Sequence, residues 1–492
     1  MGPFGWRLGA PAVVLAIGAL SCATSSFGAM TRLVSLSERE EAQIGGEAML
    51  ELRRTRIFAA DGPMLDRVRA VGQELAAVAP DSPVSLNFEV MDAGDENAFA
   101  IPGGSVIVTR GIFLLCNDVD ELAGILGHEI GHLTARHAAN RLGLSRPLAT
   151  LAGLLRRAVG SVDEQLGDEV SARLPALLLA PYARAQEREA DRTGITLAAS
   201  AGFDAEALAR VLMRLKGVPD EAASTSGASA LFASHPSPAV RAELIRTLAA
   251  QLERSARATG TELLDALDGV TVAEGPYYGT LVGETVLLAA WGIALDLPAS
   301  WLFVATERGF IGAALGGHGQ VRVLVQDPEV AQGQQAQLKR EPALADWNET
   351  PAGNPRRVVR ATLRLGSPVS LSHYAWVYYD SLVLQVVADG SAADAAAWLP
   401  VVDRLVASVR AATTAELEGV EVLRLRLVAA ARGETLAALA ARTGSAWSVA
   451  EMARYNDVDP RAPLAAGRRV KIAQRERLRC DRVSSVQLPR CR

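Results

Sequence analysis

The chain has 492 residues, of which 49% are hydrophobic and 21% charged, and its formal net charge is −5. This composition is that of a globular protein, and it excludes a disordered or collagen-like chain. The near balance of basic and acidic residues gives no reason to expect a nucleic-acid partner. At this length we expect about two to four domains.

The first 21 residues are typical of an export signal. Arg7 supplies a positive charge, and the uncharged apolar stretch 8–20 has the length of a signal-peptide core, too short to span a bilayer. Small and apolar residues before Cys22 resemble a bacterial lipobox, which predicts an outer-membrane lipoprotein anchored through a lipid on Cys22. The alternative is an ordinary secretory signal cut near Ala23. Both predict an exported, periplasmic protein without a transmembrane helix.

The remaining cysteines have different surroundings. Cys116 lies in an apolar run, which predicts a buried thiol. Cys480 and Cys491 lie near the C-terminus, where an oxidising compartment would allow them to pair. The sequence leaves that pairing open.

A change in tryptophan usage divides the chain, because Trp is absent from 22–290 and frequent afterwards. We predict a mainly α-helical domain with a small sheet at 22–260. An α+β domain of unknown role is predicted at 268–411, a small βααβ domain at 420–473, and a tail at 474–492.

Apolar spacing predicts the elements of the first domain. Helices are expected at 37–55, 62–79, 118–141, 182–200 and 204–217, and strands at 84–92 and 105–111. The third helix is expected to begin at an Asp118 N-cap, with Glu121 at the capping-box position. In the second domain, Ser391 is expected to cap a helix whose apolar face is Trp398, Val402, Leu405 and Val409.

The stretch 420–473 resembles a LysM domain. The resemblance rests on the GETL turn at 433–436, on Tyr455-Asn456, and on the PLxxGxxVKI ending at 463–472. It implies binding to peptidoglycan. The alternative is a degenerate module that packs on the first domain.

The clearest chemical signal is the H-E-x-x-H motif at 128–132. Four residues of helix turn by about 400°, so His128 and His132 share one face and can bind one Zn²⁺ per chain. Glu129 can face a water molecule at the metal and take its proton. Burying these polar residues in an apolar helix without a metal would be costly.

A catalytic zinc needs a third protein ligand, and two candidates exist. His137 would point away on an unbroken helix, so a surface position or one beside the ligands is expected. Glu187 is the better candidate, because Glu187 and Asp191 lie at i and i+4 and share a helical face, whereas Glu189 should point elsewhere. Asp191 could hydrogen-bond a metal-bound histidine or act on the reacting centre.

HEIGH followed by ExxAD at 187–191 resembles the HtpX-like and CAAX-prenyl-protease-type zinc endopeptidases, metallopeptidase family forty-eight. The stretches 97–104 and 108–111, and Ser234-His235-Pro236 with Arg241, are similar to further motifs of that family. The resemblance implies a gluzincin (zincin-like) fold.

The family resemblance also implies site roles. His128, His132 and Glu187 would bind zinc, Glu129 would be the base, and Asp191 would support a ligand or donate a proton. The chain lacks the spanning helices of the integral-membrane members and is similar instead to the soluble exported bacterial members, which are linked to outer-membrane protein quality control.

The sequence therefore predicts a zinc metalloendopeptidase that cleaves unfolded or misassembled cell-envelope proteins. One alternative is a peptidoglycan-tethered chaperone or scaffold with little proteolysis. A zinc hydrolase of another substrate is a further alternative, which the protease motifs disfavour.

Several local hypotheses accompany this function. The strand at 105–109 is expected to be a sheet edge that pairs with an extended substrate. His235, Tyr182 or Arg241 could donate to the oxyanion, although Tyr182 is expected to be structural. His235 could instead occupy the open metal position and hold the enzyme latent, or simply begin a turn or helix. The stretch 143–180 is interpreted as either a lid or core packing.

Overall fold

A computed structural model describes residues 36–478 with gaps at 57, 60, 80–84, 142–181, 216–234, 236–237, 253–261, 273–278, 298–300, 307–308, 315–319, 353–355, 366–368 and 380–381. The predictions that concern the signal at 1–21, Cys22, the stretch 143–180, Cys480 and Cys491 fall outside the described residues. None of the described helices has both the length and the apolar character needed to cross a membrane.

The N-terminal domain packs helices against a three-stranded sheet. Its helices are α1 (Glu38–Thr55), α2 (Pro63–Val78), α3 (Arg110–Leu115), α4 (Val119–Thr134), α5 (Arg184–Ser200), α6 (Ala207–Leu215), α7 (Pro238–Ala249) and α8 (Glu262–Asp265). Its strands are β1 (Asn87–Met91), β2 (Ala98–Ile101) and β3 (Ser105–Thr109). The five predicted helices form at or near their expected positions.

The order of this sheet is β1-β3-β2, with β1 parallel and β2 antiparallel to β3. The prediction that 105–109 is an edge strand is therefore wrong, because β3 is central. Its residues Val106, Ile107 and Val108 are all fully buried. Such a continuous apolar run is typical of a strand covered on both faces.

Helix α4 begins as predicted and ends early. Asp118 is its N-cap and accepts a hydrogen bond from the backbone N–H of Glu121 at 2.8 Å. The predicted unbroken helix to residue 141 is wrong, since α4 stops at Thr134, Arg136 adopts a left-handed φ of 53°, and 137–141 form a separate helical stretch. That conformation costs a non-glycine residue about 1–2 kcal/mol. The buried Glu41 carboxylate of α1 holds Arg136 in place at 2.7 Å.

The middle of the chain is an α+β region. A seven-stranded antiparallel sheet has the order β10-β11-β12-β13-β9-β8-β7, and a second sheet has the order β14-β6-β5-β4. The strands are β4 (Thr280–Val282), β5 (Thr285–Leu288), β6 (Ile293–Asp296), β7 (Trp301–Thr306), β8 (Gly309–Ala314), β9 (Gln320–Gln326), β10 (Leu344–Ala352), β11 (Arg356–Leu365), β12 (Ser370–Tyr378), β13 (Val383–Ser391) and β14 (Arg410–Ala411). The helices are α9 (Pro328–Leu338), α10 (Ala395–Ser408) and α11 (Thr414–Glu418).

The predicted N-cap Ser391 is wrong. Ser391 is the last residue of β13, and its hydroxyl accepts a hydrogen bond from the backbone N–H of Ala393 at 3.1 Å. That local turn delays the helix, which begins after Asp394. The predicted apolar face is confirmed, because Trp398, Val402, Leu405 and Val409 are all buried against the sheet.

Residues 421–477, here called the C-terminal module, follow the predicted order of strand, helix, helix and strand. They comprise β15 (Glu421–Ala429), α12 (Leu436–Thr443), α13 (Val449–Asn456) and β16 (Arg469–Arg477), with β15 antiparallel to β16. Their core is continuous with that of the N-terminal domain, since Met452 and Ile472 belong to the same buried cluster as Leu115 and Leu122. The domain bounds drawn from the sequence stay predictions.

Lys471 of β16 connects the two units. It is fully buried, and its ammonium donates to the carbonyls of Leu114, Leu115 and Cys116 at 2.9, 3.3 and 3.0 Å. These carbonyls lie at the C-terminal end of α3, where a helix has no partners of its own. Burial, with the nearby Arg214 charge, lowers the pKa of Lys471 to about 7.

Cys116 is a buried free thiol, as predicted.

We predict that Lys471→Met lowers the free energy of unfolding by about 2–3 kcal/mol, because buried carbonyls lose their donor. Urea unfolding at pH 7 measures the change. The matched control is Lys339→Met, since Lys339 is exposed and its ammonium lies over the Trp347 ring. The control should cost at most about 1 kcal/mol.

The pH dependence gives a second readout for this pair of variants. Above pH 7 the unfolded chain holds the Lys471 proton more tightly than the native protein, because the native pKa is lowered. The free energy of unfolding of the unmodified chain should therefore rise between pH 7 and pH 9, when it is compared with that of Lys471→Met at each pH. Equal unfolding midpoints for the chain and Lys471→Met at both pH values would contradict the interdomain role of Lys471.

Candidate metal centre

Helices α4 and α5 cross with their backbones in contact. A methyl group added to Gly127 would lie 2.8 Å from the carbonyl oxygen of Gly194. One added to Gly194 would lie 2.7 Å from the backbone nitrogen of His128, and one on Gly131 would lie 2.7 Å from the carbonyl oxygen of Ala190. Only glycine permits this approach, and it brings the HEIGH motif directly onto Glu187 and its neighbours.

Four buried side chains converge at this crossing. Ligand atoms of His128, His132, Glu187 and His235 all lie within 4.8 Å of one another. The Nε2 atoms of His128 and His132 are 3.1 Å apart, and His235 Nδ1 lies 3.2 Å from His128 Nε2. His235 Nδ1 also lies 3.0 Å from Glu187 Oε1. The structure thus brings together the three predicted ligands and adds His235 as a fourth donor.

The spacing of these donors fits a single tetrahedral metal ion. Donors at zinc distances of about 2.0–2.1 Å in a tetrahedron lie about 3.3 Å from one another. Five of the six donor pairs lie 3.0–3.7 Å apart, and all four donors lie within 4.8 Å of one another. Two imidazole lone pairs and a carboxylate repel one another at this range, so a cation between them removes a buried electrostatic conflict. The cluster is therefore suited to hold one metal ion.

Asp191 and Arg241 lie around this cluster. Asp191 Oδ1 is 3.0 Å from His128 Nδ1, as expected for a residue that supports a ligand. Arg241 of α7 donates to Asp191 Oδ2 from Nε at 2.9 Å and contacts Glu187 Oε2 from Nη1 at 2.7 Å. Burial would raise the pKa of Asp191, but the Arg241 guanidinium and the His128 hydrogen bond hold the pKa below its usual range.

Glu129 is buried next to the donors. Burial, with the negative charge of Glu187, raises the pKa of Glu129 well above its usual value. The Arg241 charge and the nearby backbone of Ala100 in β2 oppose this rise in the pKa. His235 Nε2 lies 3.8 Å from Glu129 Oε1 and has no hydrogen-bond partner within the described residues. Glu129 is therefore positioned to accept or donate a proton beside the metal position.

His137 reaches the site because α4 is broken. The expectation that it points away on an unbroken helix is wrong: it is buried, and its Nδ1 lies 2.9 Å from His132 Nδ1. His137 is not among the four converging donors. It lies beside the ligands, which is one of the two positions expected from the sequence. Tyr182 stacks on His132, with ring centroids 3.9 Å apart, a position that suits a structural role.

Two features of the site were missed by sequence reasoning. The glycines at 124, 127 and 131 recur at helical spacing and face other backbones, and this signal is readable in the sequence. The left-handed turn at Arg136 has no such signal, because arginine does not favour it.

The part of the chain that forms this site matches a known protein family. Residues 65–249 match the model of Peptidase family M48, so the chain carries a domain of that family, as its motifs predict. The HtpX-like branch and the gluzincin arrangement stay predictions.

Curated relatives match over the same part of the chain. Identity is 32% over 202 residues to the mitochondrial metalloendopeptidase OMA1 of Schizosaccharomyces pombe, covering 41% of this chain and 57% of that protein. Identity to the beta-barrel assembly-enhancing protease of Escherichia coli K12 is 27% over 227 residues, covering 44% of this chain and 45% of that protein. The chain thus spans about half the length of these relatives.

We predict that Gly194→Ala separates α4 from α5 and destabilises the protein by about 1–3 kcal/mol, since overpacking strains both backbones. It should also lower the metal content of the purified protein, measured by elemental analysis, because Glu187 moves away from the histidines.

Gly46→Ala in α1 is the matched control for this substitution. Gly46 is exposed and a methyl group there meets no atom within 4 Å. The control should be neutral or more stable by up to about 1 kcal/mol, with full metal content. Identical stability and metal content in Gly194→Ala and Gly46→Ala would refute the role of the helix crossing.

Proposed function

We propose that the chain is a zinc-dependent metalloendopeptidase that hydrolyses peptide bonds. The convergence of four buried donors beside Glu129, within a domain of a peptidase family, supports this most strongly. His128, His132 and Glu187 would hold one Zn²⁺ as a catalytic His₂Glu site. When bound, zinc supplies Lewis-acid chemistry that polarises a substrate carbonyl and makes a water molecule more acidic.

Glu129 acts as the general base in this proposal. Its carboxylate takes a proton from the attacking water and later passes it to the leaving amine. A raised pKa suits a group that must both accept and release a proton near neutral pH. Asp191 keeps the Nδ1 proton of His128 in place, so that the Nε2 lone pair remains directed at the cluster.

Among the predicted oxyanion donors, the contacts favour His235. Arg241 is already bonded to two carboxylates, and the Tyr182 ring is stacked on His132. The His235 Nε2 atom, in contrast, has no hydrogen-bond partner within the described part of the chain. Once His235 moves away from the donors, it could serve a developing negative charge.

His235 also supports a latent resting state. Its Nδ1 lies among the three ligands, at the position that an open catalytic site would leave to water or substrate. We propose that His235 blocks the site until substrate or a partner displaces it.

The proposed substrates are unfolded or misassembled proteins of the cell envelope. Two considerations support this: the export signal predicted at 1–21 and the identity shared with a beta-barrel assembly-enhancing protease. The protein is proposed to be periplasmic and anchored to the outer membrane only through a lipid on Cys22.

We propose that the C-terminal module is a LysM-like domain, which its βααβ order supports. A peptidoglycan tether, with the chain as a scaffold of little proteolysis, is the second candidate function. Arg454, Tyr455 and Lys471 of the module already contact the N-terminal domain, so a glycan would have to use its other surfaces. Retention of the full chain on purified peptidoglycan tests the tether.

We predict that zinc-loaded protein degrades casein and that Glu129→Gln slows degradation by at least about 100-fold while zinc content stays at one ion per chain. Glu206→Gln is the matched control, because Glu206 is exposed on the surface, and it should cleave at the normal rate. Zinc-loaded protein that cleaves no casein would indicate either a latent enzyme or a scaffold, which His235→Ala distinguishes. An active Glu129→Gln variant would contradict the proposed mechanism.

We predict that His235→Ala raises basal casein cleavage by about tenfold, which corresponds to removal of a restraint of about 1.4 kcal/mol. Zinc content should stay at one ion per chain, since three ligands remain. His373→Ala removes a buried histidine from the middle sheet and should leave the rate unchanged. Unchanged cleavage by His235→Ala would make His235 a turn residue, and loss of zinc would make it an obligatory ligand. Slower cleavage with full zinc content would favour the oxyanion role over the latent state.

A further inference from the structure

His137 connects the proposed ligand His132 to Glu189 at the protein surface. The inference drawn from these contacts rests on the proposed zinc function. We propose that His137, oriented by Glu189, is a positioning residue that sets the tautomer of His132 and so keeps the His132 Nε2 atom available to the metal.

The geometry forms a continuous line of hydrogen bonds. His132 Nδ1 and His137 Nδ1 are 2.9 Å apart, and His137 Nε2 lies 3.3 Å from Glu189 Oε2. Both histidines are buried, while the Glu189 side chain is 63% exposed. The line therefore runs from the cluster through a buried imidazole to a carboxylate at the surface.

The proton count along this line allows one arrangement when a metal is bound. A ligating His132 Nε2 must present a lone pair, so the proton of the neutral ring is on Nδ1. His132 Nδ1–H then donates to His137 Nδ1, which must be the acceptor. The His137 proton is consequently on Nε2, where it donates to Glu189 Oε2. Glu189 thus fixes the tautomer of His137, and His137 fixes that of His132.

The two histidine ligands are supported in different ways. His128 is held by the Asp191 carboxylate, which is itself bonded to Arg241. His132 relies on the neutral His137, with ring stacking by Tyr182 on its face. Hydrogen-bond partners of metal-bound histidines raise ligand basicity and fix ring orientation, and their loss costs about 10–100-fold in metal affinity.

The turn after α4 is what brings His137 into this line. Arg136 adopts the left-handed conformation and is bonded to Glu41 of α1 and to the carbonyl of Leu36 at 2.6 Å. A straight helix would turn by about 500° between His132 and His137 and place their side chains on different faces. The strained backbone at Arg136 is retained because it brings His137 back onto His132.

The test compares two substitutions of His137. His137→Leu keeps the side-chain volume and removes the acceptor, and it should weaken Zn²⁺ binding by about 10–100-fold in a chelator competition. His137→Asn places its Oδ1 where His137 Nδ1 lies and can still accept from His132 Nδ1–H, so it should recover most of the affinity. A role in packing alone predicts the opposite order, because leucine fills an apolar site better than asparagine.

Controls and outcomes separate this inference from the proposed function. Glu189→Ala should weaken zinc binding by a few-fold, whereas Arg188→Ala, at an exposed neighbour on α5, should not change it. Equal zinc affinity in the unmodified chain and both His137 variants would overturn the inference and leave the peptidase proposal intact. Tight zinc binding with the predicted order of variants, but no casein cleavage, would overturn the peptidase proposal and leave the inference standing.

Discussion

The backbone contact between α4 and α5 is the constraint on which the site depends. Glycines at 127, 131 and 194 let the two helices approach until carbonyls of one meet Cα atoms of the other. At this distance His128 and His132 on one helix and Glu187 on the other can reach a common point with short side chains. A wider crossing would need longer ligands, and the three donors would then lose the rigidity that their burial provides.

Burial of so many polar groups requires compensation, and Arg241 supplies part of it. Its guanidinium contacts both Glu187 and Asp191, and a buried carboxylate that lost such a partner would cost about 3–5 kcal/mol. His235 lies six residues before Arg241 in the sequence. The arginine that neutralises the carboxylates therefore also fixes where the segment carrying His235 lies.

The sequence was sufficient for those parts of the site that follow helical geometry. The i, i+4 pairs place His128 with His132 and Glu187 with Asp191, and the N-cap at Asp118 follows from local chemistry. The sequence was insufficient where tertiary contacts overrule local preference. The end of α4 at Thr134 depends on the pairing of Arg136 with a distant helix. The central position of β3 depends on which strands flank it, which apolar spacing does not encode.

The contacts of the C-terminal module lead back to the same site. Arg454 and Tyr455 both bond Glu96, with the tyrosine hydroxyl 2.8 Å from Oε1, and Glu96 lies two residues before β2. The backbone of Ala100 in β2 then lies close enough to the Glu129 carboxylate to lower its pKa. The module thus holds the start of the strand whose backbone lies beside the proposed base. A tether to peptidoglycan would not require these contacts, because a flexible connection would serve as well. The module instead shares a continuous core with the N-terminal domain, buries Lys471 against it and bonds Glu96. Such contacts are expected of a module that also supports the site.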